Sequence, residues 1–65
     1  MIKYYKLFDL LARRGIKKTE LLQIVSSPTL AKLGKGEIVT TDVLNKICKF
    51  LDCQPSDIME YEKED

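Results

Sequence analysis

The 65-residue chain has no histidine and no tryptophan, two cysteines, two prolines and three glycines. Each shortage excludes something. Without histidine, the side chain best suited to acid–base work near neutral pH is missing. Two cysteines alone cannot complete a four-ligand zinc site. No apolar run approaches the ~18 residues of a membrane span, so no membrane partner is expected. The segment MIKYYKLFDLL carries charges through its apolar stretch and lacks a small-residue cleavage site. It does not resemble a signal peptide, and a cytoplasmic protein is expected. Cys48 and Cys53 are accordingly expected as reduced, buried, apolar side chains. Aromatic residues make up only 8%, which leaves the core to Leu, Ile and Val.

The same shortages argue against an enzyme. Catalysis needs a matched acid, base or nucleophile in a pocket. The carboxylates here lie at helix starts and in the acidic C-terminal segment, and Cys48 has no base near it in sequence. Gly34-Lys35-Gly36 is a helix-end turn, not a phosphate loop following a strand. No catalytic residue, metal, cofactor or small-molecule ligand is expected.

What the chain does have is charge, unevenly placed. The hydrophobic share of 45% and the charged share of 32% are those of a globular protein, and the net charge is only +1. Residues 1–36 nevertheless hold eight cations against Asp9 and Glu20, whereas residues 37–65 hold three cations against eight anions. A basic half is what a polyanion-binding surface requires.

Hydrophobic spacing organises the rest. Tyr4, Leu7, Phe8, Leu11 and Ala12 recur at three and four residues, which predicts a helix from about Tyr4 to Arg14, closed by Gly15 before Ile16 re-enters the core. A second, poorly marked helix is expected from Lys18 to Ile24, with Thr19 as its capping side chain and Leu21, Leu22 and Val25 inward. Ser26-Ser27-Pro28-Thr29 starts a third, with the serine before Pro28 as cap and Pro28 in the first helical position. It ends at Leu33 to Lys35, between Gly34 and Gly36. Thr40 caps a fourth helix, with Asp42 in its first turn and Val43, Leu44, Ile47, Cys48 and Leu51 buried. Pro55 begins a brief turn through Ile58 and Met59. No segment alternates with period two, so no strand is expected. The expectation is all-α: four to five short helices in one domain over residues 1–60, then an acidic tail over 61–65 that is expected to fray.

The segment TELLQIVSSPTLAKLGKGE, Thr19 to Glu37, resembles the Cro and phage-repressor type of helix-turn-helix, the XRE family. The likeness runs from IKYYKLFDLLARRGI through VTTDVLNKICKFLDCQPSDIME. It implies a lambda-repressor-like fold, double-stranded DNA as partner, homodimerisation, and a third helix that lies in the major groove. One departure stands out. Between Leu21 and Thr29 the chain is about two residues shorter than the usual pattern, and Ile24, Val25 and Ser26 replace the customary glycine turn. With 3.6 residues per helical turn, that loss is expected to rotate or tilt the third helix.

On the third helix Leu30 and Leu33 define the inward side. The opposite side carries Pro28, Ala31, Lys32 and Lys35, with Ser27 and Thr29 flanking. These six are the candidate base-facing residues: Lys32 for a guanine edge or a phosphate, Ala31 for a thymine methyl, and the hydroxyls for base edges or phosphates. Lys17, Lys18, Thr19, Ser26, Thr40 and Thr41 lie at helix starts, where amides and the dipole favour phosphate. The absence of Gln, Asn or Arg on the reading side implies weak direct readout, with specificity aided by dimer spacing and DNA shape. Phe50, Ile58, Met59 and Tyr61 are the apolar candidates for a dimer contact. The competing expectation is a protein-interaction module that keeps the shape without binding DNA.

Overall fold

The structure, a computed structural model, describes residues 1–63. Its elements run β1 (Ile2–Lys3), α1 (Tyr5–Arg13), a 3-10 segment η1 (Lys18–Gln23), α2 (Ser27–Lys35), α3 (Thr41–Leu51), a 3-10 turn η2 (Pro55–Asp57) and β2 (Glu60–Tyr61). The four helical segments and the terminal turn fall where hydrophobic spacing put them. The third helix of the sequence is α2, and the fourth is α3.

One core joins them. Tyr4, Leu7 and Leu11 meet Leu21, Val25, Leu33, Ile47, Leu51 and Ile58, and among the described residues no polar or charged side chain is buried with them. Burial of one stripe per helix drives this assembly. The inward set expected on α3 is confirmed: Ile47 and Leu51 are buried, and Val43, Leu44 and Cys48 pack against the core. Ala12, expected on the buried stripe of α1, is exposed.

Each α-helix closes on a left-handed residue. Gly15 and Gly36 have φ of +69° and +72°, and Asp52 does the same work at φ +51°. In α1 and α2 the amide two residues past the last turn returns to a carbonyl five residues back: Ile16 to Leu11 at 2.9 Å and Glu37 to Lys32 at 2.9 Å. This is the Schellman arrangement, which satisfies carbonyls that a helix end would otherwise leave free. Gly34 is different. It sits inside α2, and a Cβ built there would meet nothing within 4 Å. Gly34→Ala is therefore expected to stabilise the domain by roughly 0.5–1 kcal/mol through reduced unfolded-state entropy. A thermal melt that moves up by several degrees checks it.

Three expectations need correction. Two short strands exist: β1 pairs antiparallel with β2, Ile2 opposite Tyr61 and Lys3 opposite Glu60. Two residues are too few to give an alternating pattern, so no sequence signal marks them. The pairing also crosses the boundary expected after residue 60. The Met1 ammonium donates to the Glu62 carbonyl at 2.7 Å, and the Glu62 amide donates to the Met1 carbonyl at 2.8 Å. Tyr61 and Glu62 thus belong to the fold; Glu64 and Asp65 lie outside the described residues.

The second correction is η1. It winds as a 3-10 helix, with side chains repeating every three residues. Leu21 and Ile24 then share the core side, and Leu22 turns outward, 45% exposed, instead of joining Leu21. The third concerns caps. Lys17, not Thr19, occupies the cap of η1, and its amide donates to the Glu20 carboxylate at 2.7 Å. In α2 the capping serine is Ser26, which puts Ser27 first and Pro28 second in the helix.

Candidate nucleic-acid interface

The site is built on η1 and α2. At the start of α2 the Ser26 Oγ accepts the Thr29 amide at 3.3 Å and donates to Thr29 Oγ1 at 2.9 Å. Reading outward, that relay leaves the Thr29 hydroxyl proton free for an external acceptor. Leu33 is buried and Leu30 packs against the core, which fixes how α2 is rotated. Ser27, Pro28, Ala31, Lys32 and Lys35 are consequently exposed, and Thr29 is half-buried. Five of the six candidate base-facing residues thus occupy the outward side of a single nine-residue helix, and Thr29 lies at its flank.

The flanking candidates sit at helix starts as expected, with differences in what is free. Lys17, Lys18, Thr19, Ser26, Thr40 and Thr41 are all exposed. The Glu20 carboxylate already occupies the amide end of η1, so Lys17 and Lys18 offer side-chain ammonium groups there, not a vacant amide cradle. The Lys18 ammonium lies over the Phe8 ring, 4.8 Å from its centroid, which limits where it can swing. Thr40 caps α3 by accepting the Val43 amide at 3.3 Å.

Ion pairing separates the cations into two groups. Arg13 pairs with Asp9 at 3.0 Å and Lys46 with Asp42 at 3.3 Å. Arg14 donates to the Leu51 carbonyl, tying the end of α1 to the end of α3, and Lys6 donates to the Ser56 carbonyl at 3.3 Å. Among the described residues Lys17, Lys18, Lys32 and Lys35 have no carboxylate partner. Lys3 and Lys49 have none either, so the start of η1 and α2 hold four of the cations without a carboxylate partner.

One residue was missed. Lys3 leans over the end of α2, where its Cδ lies 3.3 Å and its Nζ 3.7 Å from the place a Gly36 Cβ would take. This brings a further ammonium beside the last turn that carries Lys32 and Lys35. The basic count of the first half included it, but only the unsignalled strand β1 places it there.

The shortened connection has a physical explanation. Six residues of 3-10 helix at ~2.0 Å rise span about 12 Å, as far as eight α-helical residues at ~1.5 Å. They make about two full turns against the ~2.2 turns of those eight, a difference of about 80°. Overwinding recovers the reach of the two absent residues, and Ile24-Val25-Ser26 then lead into α2 with Val25 buried. A large axial translation of α2 is not required.

Known proteins agree with this geometry. Solved as a crystal structure, the transcriptional regulator VanUg superposes with a TM-score of 0.91 over 97% of this chain and 87% of its own, at 46% identity. An uncharacterised HTH-type transcriptional regulator of Bacillus subtilis (strain 168), YozG, is 37% identical over 60 residues, covering 86% of this chain and 71% of its own length. The model of the Cro/C1-type HTH DNA-binding domain matches residues 6–64. With η1 and α2 as its helix-turn-helix pair, the chain belongs to the Cro/C1-type HTH DNA-binding domains.

Proposed function

We propose that the protein is a cytoplasmic, non-enzymatic transcriptional repressor that binds a specific duplex DNA site by laying the outward side of α2 in the major groove. The observation that carries this is the row of exposed, unpaired ammonium groups on α2, held outward by the buried Leu33. Ser27, Pro28, Thr29, Ala31 and Lys32 face the bases. Lys35 and Lys3 meet phosphates at one end of α2, and Lys17, Lys18, Thr19 and Ser26 meet them at the other. Thr40 and Thr41 at the start of α3 add a further backbone contact. Small side chains on the reading side favour close approach and readout of DNA shape over bidentate base contacts.

Two copies bind a two-fold site. Half-sites one helical turn apart place each α2 centre roughly 17 Å from the dyad. After the reversal at Gly36, the loop through Val39 carries Ile38, 92% exposed, beside Ile2. Ile2 and Tyr61, opposite each other across the strands, extend this apolar surface. Of the dimer candidates named from sequence, Tyr61 belongs here. Ile58 is fully buried in its own core and Met59 half-buried against it, while Phe50 lines a separate groove with Gln23 and Ile24.

Titration of labelled duplex from the protein's own upstream region tests the reading at two salt concentrations against random duplex. Specific binding that survives competitor and weakens with salt, with a slope near −0.9 per phosphate contacted, is expected. Absence of retention even at low salt favours the interaction-module alternative. Light scattering reports the dimer, and a strict monomer on its site removes that part of the reading.

A further inference from the structure

The two cysteines take no part in the interface, and the chain gives them a specific relation. Cys48 and Cys53 are both free and both partly exposed. They stand at the two positions that a Schellman-type helix end brings together. Asp52 turns left-handed after α3, and the Cys53 amide then returns to the Cys48 carbonyl at 3.0 Å. In such an end the side chains at these two positions touch, usually as an apolar contact. Here both positions carry a thiol. Both sulfur-bearing residues line one surface depression of about 400 Å³, together with Leu44, Gln54 and Pro55, so a small reagent can reach them. A metal is a poor fit. Two sulfurs fall short of the four ligands of a structural zinc, and no three metal-ligating side chains converge among the described residues.

We propose that Cys48 and Cys53 form an oxidisable dithiol, a modification site that hydroperoxides convert to an intramolecular disulfide at the end of α3. One sulfur, losing its proton, attacks a peroxide oxygen and becomes a sulfenic acid, and the other peroxide oxygen leaves as water (or as an alcohol from an organic peroxide). The neighbouring sulfur then attacks the sulfenic sulfur and loses its own proton. The S–S bond forms and the sulfenic oxygen departs as water. Two electrons and two thiol hydrogens pass to the peroxide, which is the oxidant consumed. Disulfides require Cα atoms within ~4.4–6.8 Å and facing Cβ atoms, and the helix end closed by the Cys53 amide on the Cys48 carbonyl is the backbone arrangement that draws these two positions together. Burial pushes the Cys53 thiol up, with Cys48 and the Asp57 carboxylate adding to the shift and Arg14 opposing it. Cys53 therefore rests as the thiol at neutral pH, and oxidation quickens as pH rises.

The test uses the full chain, reduced, freed of reductant and treated with a few equivalents of hydrogen peroxide at mildly alkaline pH. Both thiols are expected to vanish together from a thiol titration. The intact mass falls by two hydrogens, the sedimentation coefficient is unchanged, and dithiothreitol reverses the change. Cys48→Ser and Cys53→Ser, checked for helicity, are expected to accumulate a dimedone-trapped sulfenic acid that the wild type does not. Thiols that survive treatment, mass gained as oxygen on one cysteine, or a cross-link between chains would each overturn the proposal. The wild-type mass measurement decides even if a variant fails to fold.

Discussion

Replacing Lys32 and Lys35 together with glutamate is expected to weaken duplex binding at least a hundredfold, about 2.8 kcal/mol, with the far-ultraviolet circular dichroism unchanged. Both side chains are exposed, and neither has a carboxylate partner among the described residues. Their removal therefore breaks no contact that holds the fold. The double change reverses two charges facing a polyanion, replacing attraction by repulsion and lowering the number of counterions released on binding. The salt slope should become shallower by about one unit for the Lys35 phosphate contact, a signature that loss of a base contact alone would not give. Equal affinity in variant and wild type, measured at low salt by fluorescence anisotropy, would falsify the assignment of this face.

Leu33→Ala is the converse experiment. Leu33 is 1% exposed and is the residue that seats α2 on the core. Deleting a buried leucine down to alanine costs roughly 2–5 kcal/mol, transfer and cavity together. A 65-residue domain of this kind has only ~3–5 kcal/mol to lose, so the variant should be largely unfolded at 37 °C. Chemical denaturation would show it, and DNA affinity should fall in step with the folded fraction. The two variants separate the sides of α2: charge reversal removes binding without unfolding, and the leucine removes folding first. A melting curve within a few degrees of wild type would mean that α2 does not depend on this anchor.

Much of the fold could be read from residue order because the signals were local and strong. The stripes of α1 and α3, the Thr40 cap and the Gly15 and Gly36 endings each rest on a few neighbouring residues. Failures share a different origin. η1 winds with three residues per turn, which puts Leu21 and Ile24 on the core side and turns Leu22 out, and nothing in the local 3.6-residue spacing marks that choice. The β1–β2 pairing joins residues some sixty positions apart, and neither strand is long enough to show a pattern. Of the interface, the outward side of α2 followed directly from Leu30 and Leu33. Lys3 did not, because only the strand pairing brings it to the end of α2.

The overwound η1 makes pitch and residue count interchangeable in this part of the molecule. A pair of residues added between Leu21 and Thr29 has somewhere to go: the segment can relax to ordinary α-helical pitch and keep the same axial reach, at the cost of about 80° of extra rotation. A single added residue nearly keeps the rotation, at ~1.9 turns, and falls ~1.5 Å short in rise. Length variation at this junction therefore trades reach against rotation, with α2 acting as the fixed point against which the spacer is measured.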